Sequence, residues 1–190
     1  MAKRPLTRTD WILAGLSALA ESGVEAVRVE PLARRLKTSK GSFYWHFADR
    51  PALLAAMLEL WESEGTGAVI AAIDPDLPAA GKLRELVRLA LLPVDQGIDV
   101  APTEAALRAW ASEDSAIAPR VANVDAQRVA YLEGLAGQLG YDAGTAAALA
   151  RGLYMALLGL YATRRYAPSL AVDSALIILA EQMIAAAPDG

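Results

Sequence analysis

Residues 37–47 read Lys37-Thr-Ser-Lys-Gly-Ser-Phe-Tyr-Trp-His-Phe47 and hold the single histidine and both phenylalanines of a 190-residue chain. Such a cluster admits three readings: a catalytic group, a piece of core, or a surface made for a negatively charged partner. Spacing divides it. Thr38 or Ser39 is a good N-cap, so a short helix starts there and ends at Phe47. Phe43 and Phe47, four apart, share one helical face and pack inward with Leu32 and Leu36. Thr38, Ser39, Lys40, Gly41 and Ser42 form a small, polar helix start whose free N–H groups favour an anion. Tyr44 and His46 are placed to offer a hydroxyl and an imidazole to a phosphate. Spacing alone leaves Trp45 open between core, flank and contact.

The neighbouring segments give this helix a setting. A first helix runs from Thr9 or Asp10 to Ser22 and stops at Gly23. A short second helix follows Glu30, with Pro31 in its first turn, and ends near Leu36. Asp49 begins a fourth, Arg50–Glu64, with Pro51 again in the first turn. Two short helices joined by a tight turn make a helix-turn-helix, in which one braces on the DNA backbone while the next enters the major groove. Arg34 and Arg35 read as a solvated face.

Charge supports that reading. Residues 1–50 carry nine Lys/Arg against five Asp/Glu, a net of +4, whereas residues 51–190 carry nine against seventeen, a net of −8. A basic module on an acidic body points to a polyanion partner for the module alone. The chain has no cysteine and one histidine, which excludes disulfides, thiolate nucleophiles and a multi-histidine metal site. No nucleophile–base pair is visible, and Glu62/Glu64 and Glu113/Asp114 read as exposed or capping charges, so no catalytic residue, metal or cofactor is expected. Lys3, Arg4 and Arg8 before an apolar run, with Ala18-Leu19-Ala20 after it, imitate an export signal. Asp10 and the helical spacing of Trp11, Leu16 and Leu19 favour a core helix instead. The apolar stretch 146–162 is interrupted by Arg151, Gly152 and Gly159, which argues against a membrane span. Cysteine usage fits a cytoplasmic location.

The run Val29–Leu53 resembles the DNA-binding domain of tetracycline-repressor (TetR) family regulators, chiefly in Ser39-Lys40-Gly41, Tyr44, His46-Phe47, Asp49-Arg50 and Leu53. The resemblance implies a helix-turn-helix DNA-binding domain at residues 1–50 and a helical effector-binding and dimerisation domain at 51–190. It also implies that Thr38 to Ser42, Tyr44 and His46 contact operator DNA. Arg50 sits where a lysine commonly reaches phosphate, and Arg28 where a small hydroxyl residue is common. Two departures stand out. Lys37 occupies a turn position where glycine relieves left-handed strain, and Arg28 and Pro31 replace the usual capping-box partners of the second helix.

Beyond the module, helical segments are expected at about 79–92, 103–114, 117–138, 143–166 and 170–187, with Gly65-Thr66-Gly67 and residues 74–78 as punctuation. Nine helices and no sheet make the fold all-α. Ala148, Gly152, Ala156 and Gly159 form a small-residue stripe that lets another helix approach closely, and Ile177, Ile178, Met183 and Ile184 add an apolar face. The resemblance implies that these two helices pair with their copies in a homodimer. Met57, Trp61, Trp110, Tyr131, Tyr154 and Met155 are candidate lining for a small-molecule effector pocket. Inward-facing Glu104, Arg108 or Glu113 would suggest a polar effector, and the sequence does not orient them. The whole implies a homodimeric, effector-released repressor of a palindromic operator; an all-helical binding protein without DNA affinity is the alternative, ahead of an enzyme.

Overall fold

The computed structural model describes residues 4–95 and 97–188; Lys3 of the export-like head lies outside them. Helix α1 (Arg8–Ser22) starts at Thr7, earlier than the expected Thr9 or Asp10. The Thr7 hydroxyl accepts from the Asp10 amide at 3.2 Å, and the Asp10 carboxylate accepts from the Thr7 amide at 2.6 Å. This reciprocal capping box, with Arg4, holds the Asp10 carboxyl down to about 2. Trp11, Leu16 and Leu19 are fully buried, so the apolar run is a core helix.

A 3₁₀ turn, Val24–Ala26, leads to α2 (Val29–Arg35) and α3 (Lys40–Tyr44). No side chain caps α2 at Arg28, as the missing capping pair implies. Its far end closes as a Schellman motif: the Thr38 amide bonds Ala33 O at 2.9 Å and the Lys37 amide bonds Arg34 O at 3.1 Å. That geometry needs a left-handed residue between them, and Lys37 supplies it with φ 54°, the one non-glycine residue with positive φ among those described. The strain inferred from the absent glycine is therefore real. Ser39 caps α3, its hydroxyl accepting from the Ser42 amide.

Helix α4 (Arg50–Glu62) is capped by Asp49. The glycines expected to end it do not. Ser63–Ala68 forms a wide π-helical turn that carries the rod on into α5 (Val69–Ala72). Then come α6 (Ala79–Ala90), α7 (Val100–Glu113), α8 (Ala118–Gln138), α9 (Ala143–Thr163) and α10 (Asp173–Ala185). The described helices number nine when α4, the π-turn and α5 count as one rod. An unexpected antiparallel hairpin, β1 (Val94–Asp95) with β2 (Ile98–Asp99), precedes α7. Two-residue strands are too short to leave an alternation in sequence.

Two apolar clusters fill the interior. One gathers α1 to α4 around Trp11, Phe43 and Met57 and reaches Leu107, Trp110, Val121 and Val124 of α7 and α8. The other joins α6, α8, α9 and α10 through Leu83, Leu135, Leu153 and Leu176. Helix α4 fits close to α1 because Gly15 has no side chain: a Cβ there would lie 2.6 Å from Met57 Sδ.

A left-handed non-glycine residue costs about 1–2 kcal/mol, of which the greater chain entropy of glycine takes back about 0.5–1 kcal/mol. Lys37→Gly should therefore raise the unfolding free energy by about 0.5–1 kcal/mol in urea titrations. A lower unfolding midpoint would show that contacts of the lysine outweigh its strain.

Candidate functional site

The small polar turn and the aromatics of α3 separate as expected. Phe43 and Phe47 are buried and stack at 5.5 Å, with Trp11 edge-on to Phe43 at 5.3 Å. The Arg8 guanidinium covers Phe47. Ser39, Lys40 and Gly41 are exposed, and Thr38, Ser42 and His46 are half-buried beside them. Tyr44 is 60% exposed, and Trp45, which the sequence left open, is 89% exposed. An indole that far out of the core has no packing role. Lys40 is ion-paired with Glu30 of α2, and exposed Arg28 with Glu25. Arg50 is more committed: its Nε donates to Val27 O and its Nη2 to Val24 O, both at 2.7 Å. It ties the start of α4 to the turn after α1, so a phosphate contact would have to share or replace those bonds.

A cavity of about 330 Å³ lies between α1, the end of α4, the π-turn, α6, α7, α8 and α9. Trp61, Tyr131 and Tyr154 border it; Met57 and Trp110 belong to the first apolar cluster, and Met155 is 65% exposed outside. Most of the wall is apolar and half of its residues are aliphatic, Leu13 and Leu16 of α1 among them. One end is polar, and there the structure orients the groups the sequence could not. Glu104 is 6% exposed, Arg108 points inward, and Glu113 faces out.

Glu104 accepts four hydrogen bonds. Its Oε1 takes Trp61 Nε1 at 2.8 Å and Arg128 Nη2 at 3.0 Å. Its Oε2 takes Arg108 Nη1 at 2.6 Å and Arg128 Nη1 at 2.9 Å. Arg108 also donates to Asp125 at 2.6 Å and to the Tyr154 hydroxyl at 2.8 Å, and that hydroxyl donates to Asp125 at 2.7 Å. Arg128 continues to Thr66 Oγ1 and Gly65 O in the π-turn, both at 2.9 Å. A Cβ on Gly65 would meet Arg128 Nη2 at 3.0 Å, so the glycine permits that approach. Burial pushes the Glu104 carboxyl up, but Arg128 and Arg108 overcome it and hold the group down at about 2. Burial pushes the Tyr154 hydroxyl up to about 12.

Arg128, Thr66, Thr103 and Asp125 were not singled out from the sequence. Arg128 left a signal: it sits on the apolar stripe Val121, Val124, Leu132, Leu135 of α8, where an unpaired charge would be costly.

Outside, α9 and α10 carry an apolar face. Ala148, Gly152 and Gly159 are exposed and Ala156 is half-buried; Ile177 and Ile178 are 45% and 56% exposed, while Ile184 leans on the second cluster. Met155 falls in line with Gly152 and Gly159. A Cβ on either glycine would have no neighbour within 4 Å.

A model of the family described as bacterial regulatory proteins, tetR family, matches residues 12–57. Tetracycline repressor protein class G from Vibrio anguillarum is 44% identical over 48 residues, 25% of this chain and 23% of that protein's length. The chain thus matches less than a quarter of the curated relative. A TetR-family transcriptional regulator from Streptomyces coelicolor superposes with a TM-score of 0.76 at 18% identity, covering 96% of both chains. A transcriptional regulator from Rhodococcus sp. Rha1 gives 0.74 at 20% identity over 96% of both. FadR of Bacillus subtilis, solved in complex with stearoyl-CoA, gives 0.66 at 17% identity over 94% of this chain and 96% of its own. These likenesses establish the shared fold.

Removing one partner of a buried ion pair costs about 3–5 kcal/mol. Glu104→Gln, which leaves Arg108 and Arg128 without their shared carboxylate, should lower stability by about that much in thermal or urea unfolding. The depressed carboxyl contributes stability above its ordinary value of 4.5 that is lost as pH falls towards about 2. The native chain should therefore lose stability across that acid window, and Glu104→Gln should lose less; parallel profiles would contradict the assignment.

Proposed function

We propose that the chain, whose residues 12–57 match the tetR family of bacterial regulatory proteins, is a homodimeric repressor whose hold on a palindromic operator is released by a small molecule. The observation that carries this reading is the course of α4. At its start Arg50 bonds the turn carrying the N-terminal module, and at its end Trp61 bonds Glu104 at the cavity wall. A ligand in the cavity would thus act on the rod that orients the module.

In this reading residues 1–50 form the DNA-binding domain and residues 51–190 bind the effector and the second copy. Thr38, Ser39, Lys40, Gly41 and Ser42 approach the major groove, and Tyr44, His46, Arg28 and Arg50 hold phosphate, with Trp45 beside them. Two modules would address half-sites about 34–36 Å apart per helical turn. Effector binding favours a body conformation that spaces them wrongly, a population shift set by differential affinity. Trp61, Tyr131 and Tyr154 line the effector site. The exposed face of α9 and α10 meets its copy, with Ala148, Gly152, Met155, Gly159, Ile177 and Ile178 at the contact. Helix α9 is long and apolar enough to cross a membrane, at a mean hydropathy of 1.3; a close helix–helix contact accounts for the same apolarity. Regulation of this kind belongs in the cytoplasm, where the operator is.

Two experiments test this. Tyr44→Phe and His46→Ala should each weaken binding to a palindromic fragment from near the gene by about tenfold, with helicity and dimer mass unchanged. Native binding should itself weaken as salt rises. Failure to shift any genomic fragment at low salt would remove the repressor reading. Gly152→Leu with Gly159→Leu adds side chains that a lone protomer accommodates, so sedimentation should report monomer; an intact dimer would move the interface elsewhere.

A further inference from the structure

Arg128 is the one cationic side chain among the described residues bordering the cavity, and its donors are already engaged. A guanidinium has five N–H groups. Nε reaches Thr66 Oγ1, Nη1 reaches Glu104 Oε2 and, at 3.5 Å, the Tyr154 hydroxyl, and Nη2 reaches Glu104 Oε1 and Gly65 O. An anionic ligand would have to break one of these bonds and expose the buried Glu104 carboxylate to a second negative charge. The other charged groups on the wall, Glu64 and Asp95, are carboxylates as well. A cationic ligand gains little in exchange. Glu104 is saturated by two guanidiniums and an indole, and Glu64 and Asp95 are both partly exposed, where water and salt screen them.

One buried group is left wanting. Thr103 borders the cavity at 3% exposure, and its Oγ1 has no hydrogen-bond partner. Among the described residues, the four other buried side-chain atoms in that condition, on Trp11, Arg108, Glu133 and Arg164, belong to residues that do not border the cavity. A buried hydroxyl without a partner is destabilising, and a ligand group that completes it recovers the loss. A threonine hydroxyl both donates and accepts, so an alcohol or a carbonyl satisfies it.

Resting on the effector reading, we propose that the cavity takes an uncharged, largely aliphatic molecule with one hydroxyl or carbonyl group that hydrogen-bonds Thr103, and that it discriminates against anions and cations of the same shape. The volume of about 330 Å³ is at the small end of the usual range of about 300–1,000 Å³ for small-molecule sites. The ligand is therefore a compact molecule.

The test is calorimetric titration of the full-length protein with a matched series below its micelle concentrations: 1-decanol, decane, decanoate and decylammonium. 1-Decanol should bind at least tenfold more tightly than either ion. Thr103→Val should cut its affinity about five- to tenfold and bring it to the level of decane, whose own affinity should not change. Thr103→Ser, which keeps the hydroxyl, should retain the preference. Tighter binding of decanoate or decylammonium overturns the proposal, and so does a Thr103→Val protein of native helicity that binds 1-decanol as the native chain does. Should Thr103→Val not fold, the head-group order on the native chain decides alone. If none of the four binds while the protein still shifts DNA, the effector reading of the cavity fails and this proposal with it.

Discussion

Glu104 is the point on which the body of the protein turns. Its carboxylate collects Trp61 from α4, Arg108 from its own helix α7 and Arg128 from α8, and through the arginines it reaches Tyr154 of α9 and the π-turn. Charges are tolerated in an interior only when paired and hydrogen-bonded. Glu104 and Asp125 face Arg108 and Arg128, two charges of each sign, so the cluster balances within the chain. A network of this kind tolerates one arrangement of its helices better than any other. It thereby fixes the end of α4 relative to α7, α8 and α9, and forms the polar end of the cavity.

The N-terminal module rests on aromatic packing instead. Phe43 lies between Trp11 and Phe47, with Tyr44 edge-on at 5.3 Å. Because the two phenylalanines take the buried side, Tyr44 and Trp45 are left exposed on the other. The exposed face that carries Tyr44 and Trp45 is thus the outer side of a small hydrophobic lock. The two centres are joined by α4, whose start is bonded to the module by Arg50 and whose end is bonded to the Glu104 cluster by Trp61.

The module was legible because its signals are local: capping residues, an i, i+4 aromatic pair, and a turn lacking its glycine, which reappears as φ 54° at Lys37. The cavity was only half legible. Size and aromaticity pointed to Trp61, Tyr131 and Tyr154 and equally to Met57 and Trp110, because residue type alone does not say which neighbours will meet it. Met155 lies beside Tyr154 in sequence, but one residue along a helix is about 100° of rotation, and that carries it outside. Inward-facing charge suggests a polar effector when only the sequence is read. Glu104 and Arg108 do face inward, yet their demands are met by Arg128, Trp61 and Asp125, contacts between distant segments that no local pattern announces.

The π-helical turn at Ser63–Ala68 has a further consequence. Such a turn is an α-helix with one residue inserted, and one residue is worth about 100° of helical rotation. The side chains that follow it, Val69 and Ile70, face the cavity in a phase set by that extra residue. Loss of a single codon within the turn would rotate a different set of side chains into the cavity, while leaving every exposed residue of α3 as it is. The rod is thus a place where a single deletion can reshape the cavity without altering the exposed face of the N-terminal module.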